Sequence, residues 1–228
     1  MKEFRVAERF VSINGESRLA GELAVFIRFA GCNLRCSYCD TAWALSADTP
    51  HEVMSTADII RYVDDTGITN VTLTGGEPLL QAGITDLVAE LIGKNHKVEI
   101  ETNGAISIGS MRELADTLGL TDELSITLDY KCPSSLMEDR MLMDNYDHLR
   151  EYDTVKFVVG SVEDMDRARE IIRTCSLKDK KVKIYFSPVF GQLEYRTIVQ
   201  YMIDNKMNEV RFQLQQHKII WDPDERGV

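Results

Sequence analysis

Cys32, Cys36 and Cys39 put three of the chain's five cysteines into one short run, Gly31-Cys32-Asn33-Leu34-Arg35-Cys36-Ser37-Tyr38-Cys39-Asp40. Thiolates are soft ligands, and a closed structural zinc site takes four protein ligands, so three at this spacing suit a metal centre left one ligand short. An open coordination position is where chemistry happens. Two plainer readings stand beside this one: a zinc site completed by a distant Cys132 or His51, or buried thiols with no metal.

Other residues able to do chemistry recur at the ends of apolar runs. Val71-Thr72-Leu73-Thr74 leads into Gly75-Gly76-Glu77-Pro78, where paired glycines let a ligand approach the backbone and the proline suits a first helical turn. An ordinary strand-to-helix turn explains the glycines but not the Glu-Pro after them. Glu99-Ile100-Glu101-Thr102-Asn103-Gly104 offers donors and acceptors for a ribose or an amino acid, a composition that solvated loops share. Asp129 and Lys131 in Asp129-Tyr130-Lys131-Cys132-Pro133-Ser134-Ser135, Lys156 after Val155, and Ser187 in Phe186-Ser187-Pro188-Val189 continue the series. Taken singly, Lys156 reads equally as a surface residue and Ser187-Pro188 as a turn.

The elements that position these residues follow from periodicity. Short β-rich runs at 23–29, 70–73, 97–101, 124–128, 154–159, 181–186 and 209–214 read as strands. Helix-length segments lie between most of them, at 55–65, 78–95, 110–118, 138–151, 162–175 and 193–205, several opened by a cap such as Ser55, Ser110 or Ser161. Repeated strand–helix–strand order implies parallel strands with right-handed crossovers, hence a barrel or an open doubly wound sheet. The units are too few for an eight-fold barrel, so the expected fold is α/β, a partial (β/α) barrel. In either architecture the working site lies at the carboxyl ends of the strands, where the residues named above fall.

The 228 residues, without repeat, low-complexity tract or flexible linker, suit a single domain over 1–228. The apolar runs are too short to cross a bilayer, and the amino terminus lacks the apolar core of a signal peptide, so a cytoplasmic protein with no membrane partner is expected. In that reducing compartment clustered cysteines indicate metal more than disulfides. A net charge of −11 argues against a nucleic-acid binder and leaves a small molecule as the expected partner.

The cysteine spacing, the aromatic Tyr38 before the third cysteine, the Gly75-Gly76-Glu77-Pro78 run and Glu101-Thr102-Asn103-Gly104 together resemble the radical S-adenosylmethionine (SAM) superfamily. The resemblance implies that Cys32, Cys36 and Cys39 bind a [4Fe–4S] cluster whose fourth iron SAM chelates. It places Tyr38, Cys39, Asp40, Gly76, Glu77, Glu101, Thr102, Asn103, Asp129, Lys131, Lys156 and Ser187 around SAM. An electron passed through the cluster cleaves SAM to a 5′-deoxyadenosyl radical, so no catalytic side chain is implied. A reducing donor such as flavodoxin or ferredoxin is implied as a partner.

Further marks extend the likeness over nearly the whole chain: Phe10-Val11-Ser12-Ile13-Asn14-Gly15-Glu16, Arg28-Phe29 leading into the cysteines, Asp129 to Ser135, and Gln213-Leu214-Gln215-Gln216-His217-Lys218-Ile219-Ile220-Trp221. With these the chain resembles the 7-carboxy-7-deazaguanine synthase family. The resemblance implies ring contraction of 6-carboxy-5,6,7,8-tetrahydropterin with release of ammonia, on the route to queuosine and related deazapurines, by a homodimer with a modified partial barrel. Ile13, Asn14, Gly15, Glu16, Arg28 and Thr74 would contact the pterin, and Gln213, Gln215 and His217 would border it. Thr41 falls where the family binds Mg²⁺, an ion that prefers oxygen ligands. From residues alone, Asp40-Thr41 reads as a helix cap. Asn14 stands where many members carry Gln, and Ser17 where Gly is common. Two rival functions stay open here: another short radical SAM enzyme such as a glycyl-radical activase, and a non-enzymatic iron–sulfur redox protein.

Overall fold

The computed structural model describes residues 2–228. Its elements are β1 (Glu3–Ile13), β2 (Leu23–Phe29), β3 (Glu52–Ser55), α1 (Thr56–Thr66), β4 (Asn70–Gly75), α2 (Ile84–Gly93), β5 (Lys97–Thr102), α3 (Gly109–Leu118), β6 (Leu124–Tyr130), β7 (Thr154–Val159), α4 (Val162–Thr174), β8 (Lys183–Pro188), α5 (Tyr195–Asp204), β9 (Val210–Phe212) and α6 (His217–Ile220). The nine strands form one sheet in the order β3-β1-β2-β4-β5-β6-β7-β8-β9. From β2 through β9 every neighbouring pair is parallel, and only β1 runs antiparallel to its neighbours β2 and β3. The ends of the sheet do not meet, so the architecture is the partial, mostly parallel barrel expected.

Strands buried on both faces of a parallel sheet usually read as continuous apolar runs. Here they alternate. In β5 Val98 and Ile100, and in β6 Leu124, Ile126 and Leu128, join the core cluster, while Glu99, Ser125 and Thr127 between them are buried polar residues. Since successive side chains point to opposite faces, one face of the sheet packs under the helices and the other is a buried polar wall. Among the described residues no helix is long and apolar enough to cross a membrane.

Several expectations are corrected. The 78–95 segment is not one helix: Pro78–Leu80 forms a single 3-10 turn, and α2 starts only after Gly83, whose φ of +92° breaks the helical path. The break is held by Gln81, whose amide donates to the Ala30 carbonyl at 3.2 Å. The 138–151 segment carries only short 3-10 turns, because its polar side chains bond away from their own backbone. Asn145 donates to the carbonyls of Gly104 and Ile106 and accepts from the Ile108 amide, so it braces the approach to α3. Ser110 lies inside α3, which has no side-chain cap, whereas Ser55 and Ser161 cap α1 and α4 as expected. Strands β1 and β3 extend the sheet beyond the strands expected from periodicity. The segment 14–22 is the β1–β2 connection, closed by the Asn14 amide on the Glu22 carbonyl and the Gly21 amide on the Asn14 carbonyl, both 2.8 Å.

Candidate active site

The carboxyl ends of the parallel strands open onto one cavity. Its wall includes Cys32, Cys36, Tyr38, Cys39, Asp40 and Thr41 from the loop after β2, and Thr74 and Gly76 from the end of β4. Glu101, Thr102 and Asn103 from β5, Asp129 and Lys131 from β6, and Lys156 from β7 continue it, and Ile13, Gly15, Glu16, Arg28, Gln215 and His217 complete it. Residues far apart in sequence are thus brought together by the rule that places working loops at strand ends.

Four expected site residues stand behind this wall. Glu77 is fully buried and accepts from the Leu79 amide (3.0 Å), the Thr102 hydroxyl (2.9 Å) and the Asn103 amide (2.8 Å), so it fixes the end of β5. Burial pushes its carboxyl up to about 7 against those three donors. Asn14 is buried and accepts from the Thr72 hydroxyl at 2.8 Å. Gln213 clamps the Ser17 peptide from both sides, accepting from its amide at 2.8 Å and donating to its carbonyl at 3.0 Å. Ser187 is fully buried at the end of β8.

The cysteine loop is tied down at many points. The Cys32 amide donates to the Leu45 carbonyl at 3.0 Å. Asn103 reaches Cys32 Sγ with its side-chain amide at 3.6 Å, and the Leu34 amide approaches the same sulfur at 3.4 Å. Gly76 lies so close beneath the loop that a Cβ there would stand 2.1 Å from the Gly31 carbonyl oxygen. Burial raises the thiols of Cys36 and Cys39, and the neighbouring sulfurs raise them further. Three adjacent thiolates therefore require a strong local positive charge, which an iron–sulfur centre supplies. The donor set, the N–H groups aimed at Cys32 Sγ and the Cβ-free cradle fit such a centre. Cys132 belongs to the apolar core rather than the cavity wall, which leaves the trio without it as a fourth ligand. Thr41 precedes a 3-10 turn without capping it; its hydroxyl donates instead to Asp40 Oδ1 at 3.0 Å.

Charge in the cavity is arranged in pairs. Lys156 Nζ lies 3.2 Å from Glu16 Oε2 and 3.8 Å from Asp129 Oδ2, with Lys131 on the same Asp129 oxygen at 2.8 Å. Gln215 donates to Glu16 at 3.3 Å. Burial would push the Glu16 carboxyl up, but the Lys156 ammonium beside it holds it below the usual range. Burial holds His217 below its ordinary value, hence neutral at pH 7, and its ring packs so tightly on Gly15 that a Cβ there would meet Nδ1 at 2.3 Å.

The family signatures map onto this geometry. Residues 26–130 match the Radical SAM superfamily. Over 226 residues the chain is 50% identical to the 7-carboxy-7-deazaguanine synthase of Clostridium acetobutylicum, covering 99% of both chains. It is 35% identical to that of Methanospirillum hungatei, covering 96% of this chain and 86% of the relative. The chain belongs to the 7-carboxy-7-deazaguanine synthase family. It is accordingly a radical SAM enzyme whose cofactors are a [4Fe–4S] cluster and SAM. In fold it is similar to the crystal structure of QueE from Escherichia coli, with a TM-score of 0.74 and 22% identity over 94% of this chain and 95% of that one. It is also similar in fold to Streptococcus suis SuiB bound to S-adenosylmethionine, with a TM-score of 0.59 and 15% identity over 81% of this chain and 48% of that one.

Sequence reasoning passed over three parts of the site. Lys218 donates to Asp40 at 3.1 Å and so closes the α6 end over the cysteine loop. Phe10 and Phe26 stack with parallel rings 4.9 Å apart in the cavity wall; a period-two reading of β1 and β2 would have put them on the face of Ser12 and Arg28. Glu99, below Glu101, accepts from Ser17 at 2.7 Å and Thr127 at 2.6 Å through one oxygen. Its other oxygen is buried without a partner. Ser17 keeps a φ of +66°, which explains why Gly suits this position and why Gln213 and Glu99 both hold it.

Glu99 yields a pH signature. Burial, then the Glu101 charge, push its carboxyl up to about 7. The folded state therefore favours the neutral acid; the associated stability is present below the ordinary carboxyl range and is lost as pH rises through about 7. Glu99→Gln should melt with the unaltered protein at about pH 4 and be more stable at about pH 8 by ~2–3 kcal/mol. Thermal midpoints at the two pH values check this, and a constant difference would count against the assignment.

Proposed function

We propose that this chain contracts the ring of 6-carboxy-5,6,7,8-tetrahydropterin to 7-carboxy-7-deazaguanine with release of ammonia, as one radical SAM domain over residues 1–228, in the cytoplasm, supplying queuosine or related deazapurines. The observation that carries this reading is the arrangement of pterin-facing groups beside the cysteine loop. Arg28, half-buried and paired with Glu8 at 2.8 Å, and the stacked Phe10–Phe26 pair offer a cation and a flat apolar wall to a carboxylated heterocycle. Gly15, Glu16, Gln215 and His217 provide polar edges in the same cavity.

When bound, the cluster and SAM supply a carbon radical able to abstract a substrate hydrogen. The residues of this chain bind, orient and exclude water. Glu77 fixes the end of β5 so that Thr102 and Asn103 face SAM. Lys156 holds Glu16 ionised while Gln215 steadies it, and Arg28 takes the substrate carboxylate. Thr41 offers a hard oxygen beside the Asp40 carboxylate, a donor type that suits Mg²⁺, and the ion would pin the substrate carboxylate there. Exposed Arg35 beside Cys36 supports the approach of a flavodoxin- or ferredoxin-like donor from that side. The exposed apolar Val199 and Ile203 near the sheet edge at β9 support pairing with a second copy.

The deciding assay reconstitutes the cluster anaerobically and supplies reductant, SAM, Mg²⁺ and carboxytetrahydropterin, with the deazaguanine read by mass. Product formation is expected; an intact cluster without product would reject the reading, and SAM cleavage without product would point to an activase-like enzyme. In the same assay Thr41→Ala should lower turnover and weaken its Mg²⁺ dependence while leaving the cluster spectrum unchanged. An unaltered Mg²⁺ response would remove Thr41 from the ion site.

A further inference from the structure

The cysteine loop is held in two separate halves. Cys32 is fixed from the β4–β5 side by Gly76 beneath it and the Asn103 amide, and from the segment before β3 by the Leu45 carbonyl. The half carrying Cys36 and Cys39 is held from elsewhere, through Ser37 between them. The Ser37 amide donates to the Ser135 carbonyl at 3.1 Å, and its hydroxyl donates to the Ser134 carbonyl at 2.6 Å. Both acceptors lie in the 3-10 turn Pro133–Ser135 that follows β6.

That turn is in turn fixed by one fully buried carboxylate, Asp164, in the first turn of α4. Asp164 Oδ1 accepts from the Ser134 amide at 2.9 Å. Its Oδ2 accepts from the Gly160 amide at 2.8 Å and from the Ser134 hydroxyl. Two oxygens thus gather three donors from the ends of β6 and β7. An asparagine at this position would turn one of those oxygens into an N–H₂ group facing donors. Tyr38, the residue before Cys39, adds a weaker tie of its own to the same region, its hydroxyl donating to the Val158 carbonyl at 3.4 Å.

We infer that Asp164 is a positioning residue for the iron–sulfur cluster, setting Cys36 and Cys39 through the relay Asp164–Ser134–Ser37 while Cys32 is set independently. The inference needs the cluster, not the pterin, so it can fail while the substrate reading stands. It also gives the Asp129-to-Ser135 motif a purpose beyond contacts with SAM: its two serines carry the relay.

The test uses reconstituted holoenzyme without substrate. Asp164→Asn should lose iron to an anaerobic chelator about tenfold faster than the unaltered protein, and Ser37→Ala about fivefold faster, as expected for one charged and one neutral hydrogen bond. In both variants the EPR signal of the reduced cluster should broaden, a change that a general loss of stability does not produce. The double variant should release iron no faster than Asp164→Asn alone, because the two act in series. Iron release at the unaltered rate in either single variant, or additive effects in the double variant, would overturn the relay. Should Asp164→Asn fail to fold, Ser134→Ala decides in its place, since it removes only the hydroxyl bond to Asp164 and keeps the backbone bonds of the turn; iron release at the unaltered rate in that variant would overturn the relay.

Discussion

Lys156→Met should destabilise the fold by roughly 3–5 kcal/mol, because it leaves one side of a buried ion pair uncompensated, and should lower kcat/KM by about 10²–10³-fold because Glu16 loses the cation that orients it in the cavity. Lys156 is the cation shared by Glu16 and Asp129, at 3.2 and 3.8 Å, with only 12% of its side chain exposed. Without it, burial dominates at Glu16, and the carboxyl passes from below its ordinary value to above it. The sign of the pH effect then reverses. In the unaltered protein the Glu16 contribution is present above the ordinary carboxyl range and is lost as pH falls through the depressed value. In the variant, stability is instead lost as pH rises through the raised value. The gap in thermal midpoint between the two should be widest at about pH 8 and shrink toward about pH 4. Steady-state rates by product mass and melts across pH check both parts, and a gap that stays constant would show that Lys156 does not govern Glu16.

Gly76→Ala should abolish cluster binding. The added Cβ would lie 2.1 Å from the Gly31 carbonyl oxygen, 2.5 Å from its carbon and 3.0 Å from Cys32 Cβ, and these are backbone and cluster-loop atoms that no side-chain rotation can clear. Two backbone bonds pin the same approach, from the Gly76 amide to the Phe29 carbonyl at 3.0 Å and from the Glu77 amide to the Gly31 carbonyl at 2.9 Å. Overpacking of this kind costs about 1–3 kcal/mol, and relief requires the Cys32 half of the loop to move. Iron content after reconstitution and the visible absorption of the cluster are the readouts. Gly93→Ala is the matched control, since nothing lies within 4 Å of its added Cβ; it should bind iron normally and be slightly more stable. A Gly76→Ala protein with full iron would refute the cradle.

The seven strands from β2 to β9 other than β3, and their parallel pairing, were legible because β-rich runs separated by amphipathic segments leave few topologies open; β1 and β3, which pair antiparallel at the sheet edge, were not. The boundaries of the crossovers were not. Residues 138–151 have helical length and composition, yet Asn145 spends its side chain on the backbone between Gly104 and Ile108, a contact that no local pattern encodes. Likewise the helix expected from Pro78 is interrupted because Glu77 and Gln81 turn back to brace β5 and the cysteine loop.

What the sequence by itself determined is the chemistry: three thiols at a fixed spacing, a glycine pair before Glu-Pro, and polar residues wherever a strand ends. These are local, and their meaning follows from ligand number and backbone freedom. Only the tertiary structure decided which polar residues line the cavity and which support it. Glu77, Asn14 and Gln213 belong to the second group because their hydrogen-bonding capacity is directed at backbone and side chains from other strands. Lys156 belongs to the first because parallel pairing sets β7 beside β6 and brings its ammonium between Glu16 and Asp129. Such sorting depends on contacts between residues far apart in the chain, 196 positions between Ser17 and Gln213 and 199 between Glu16 and Gln215, and so it exists only once the sheet has formed.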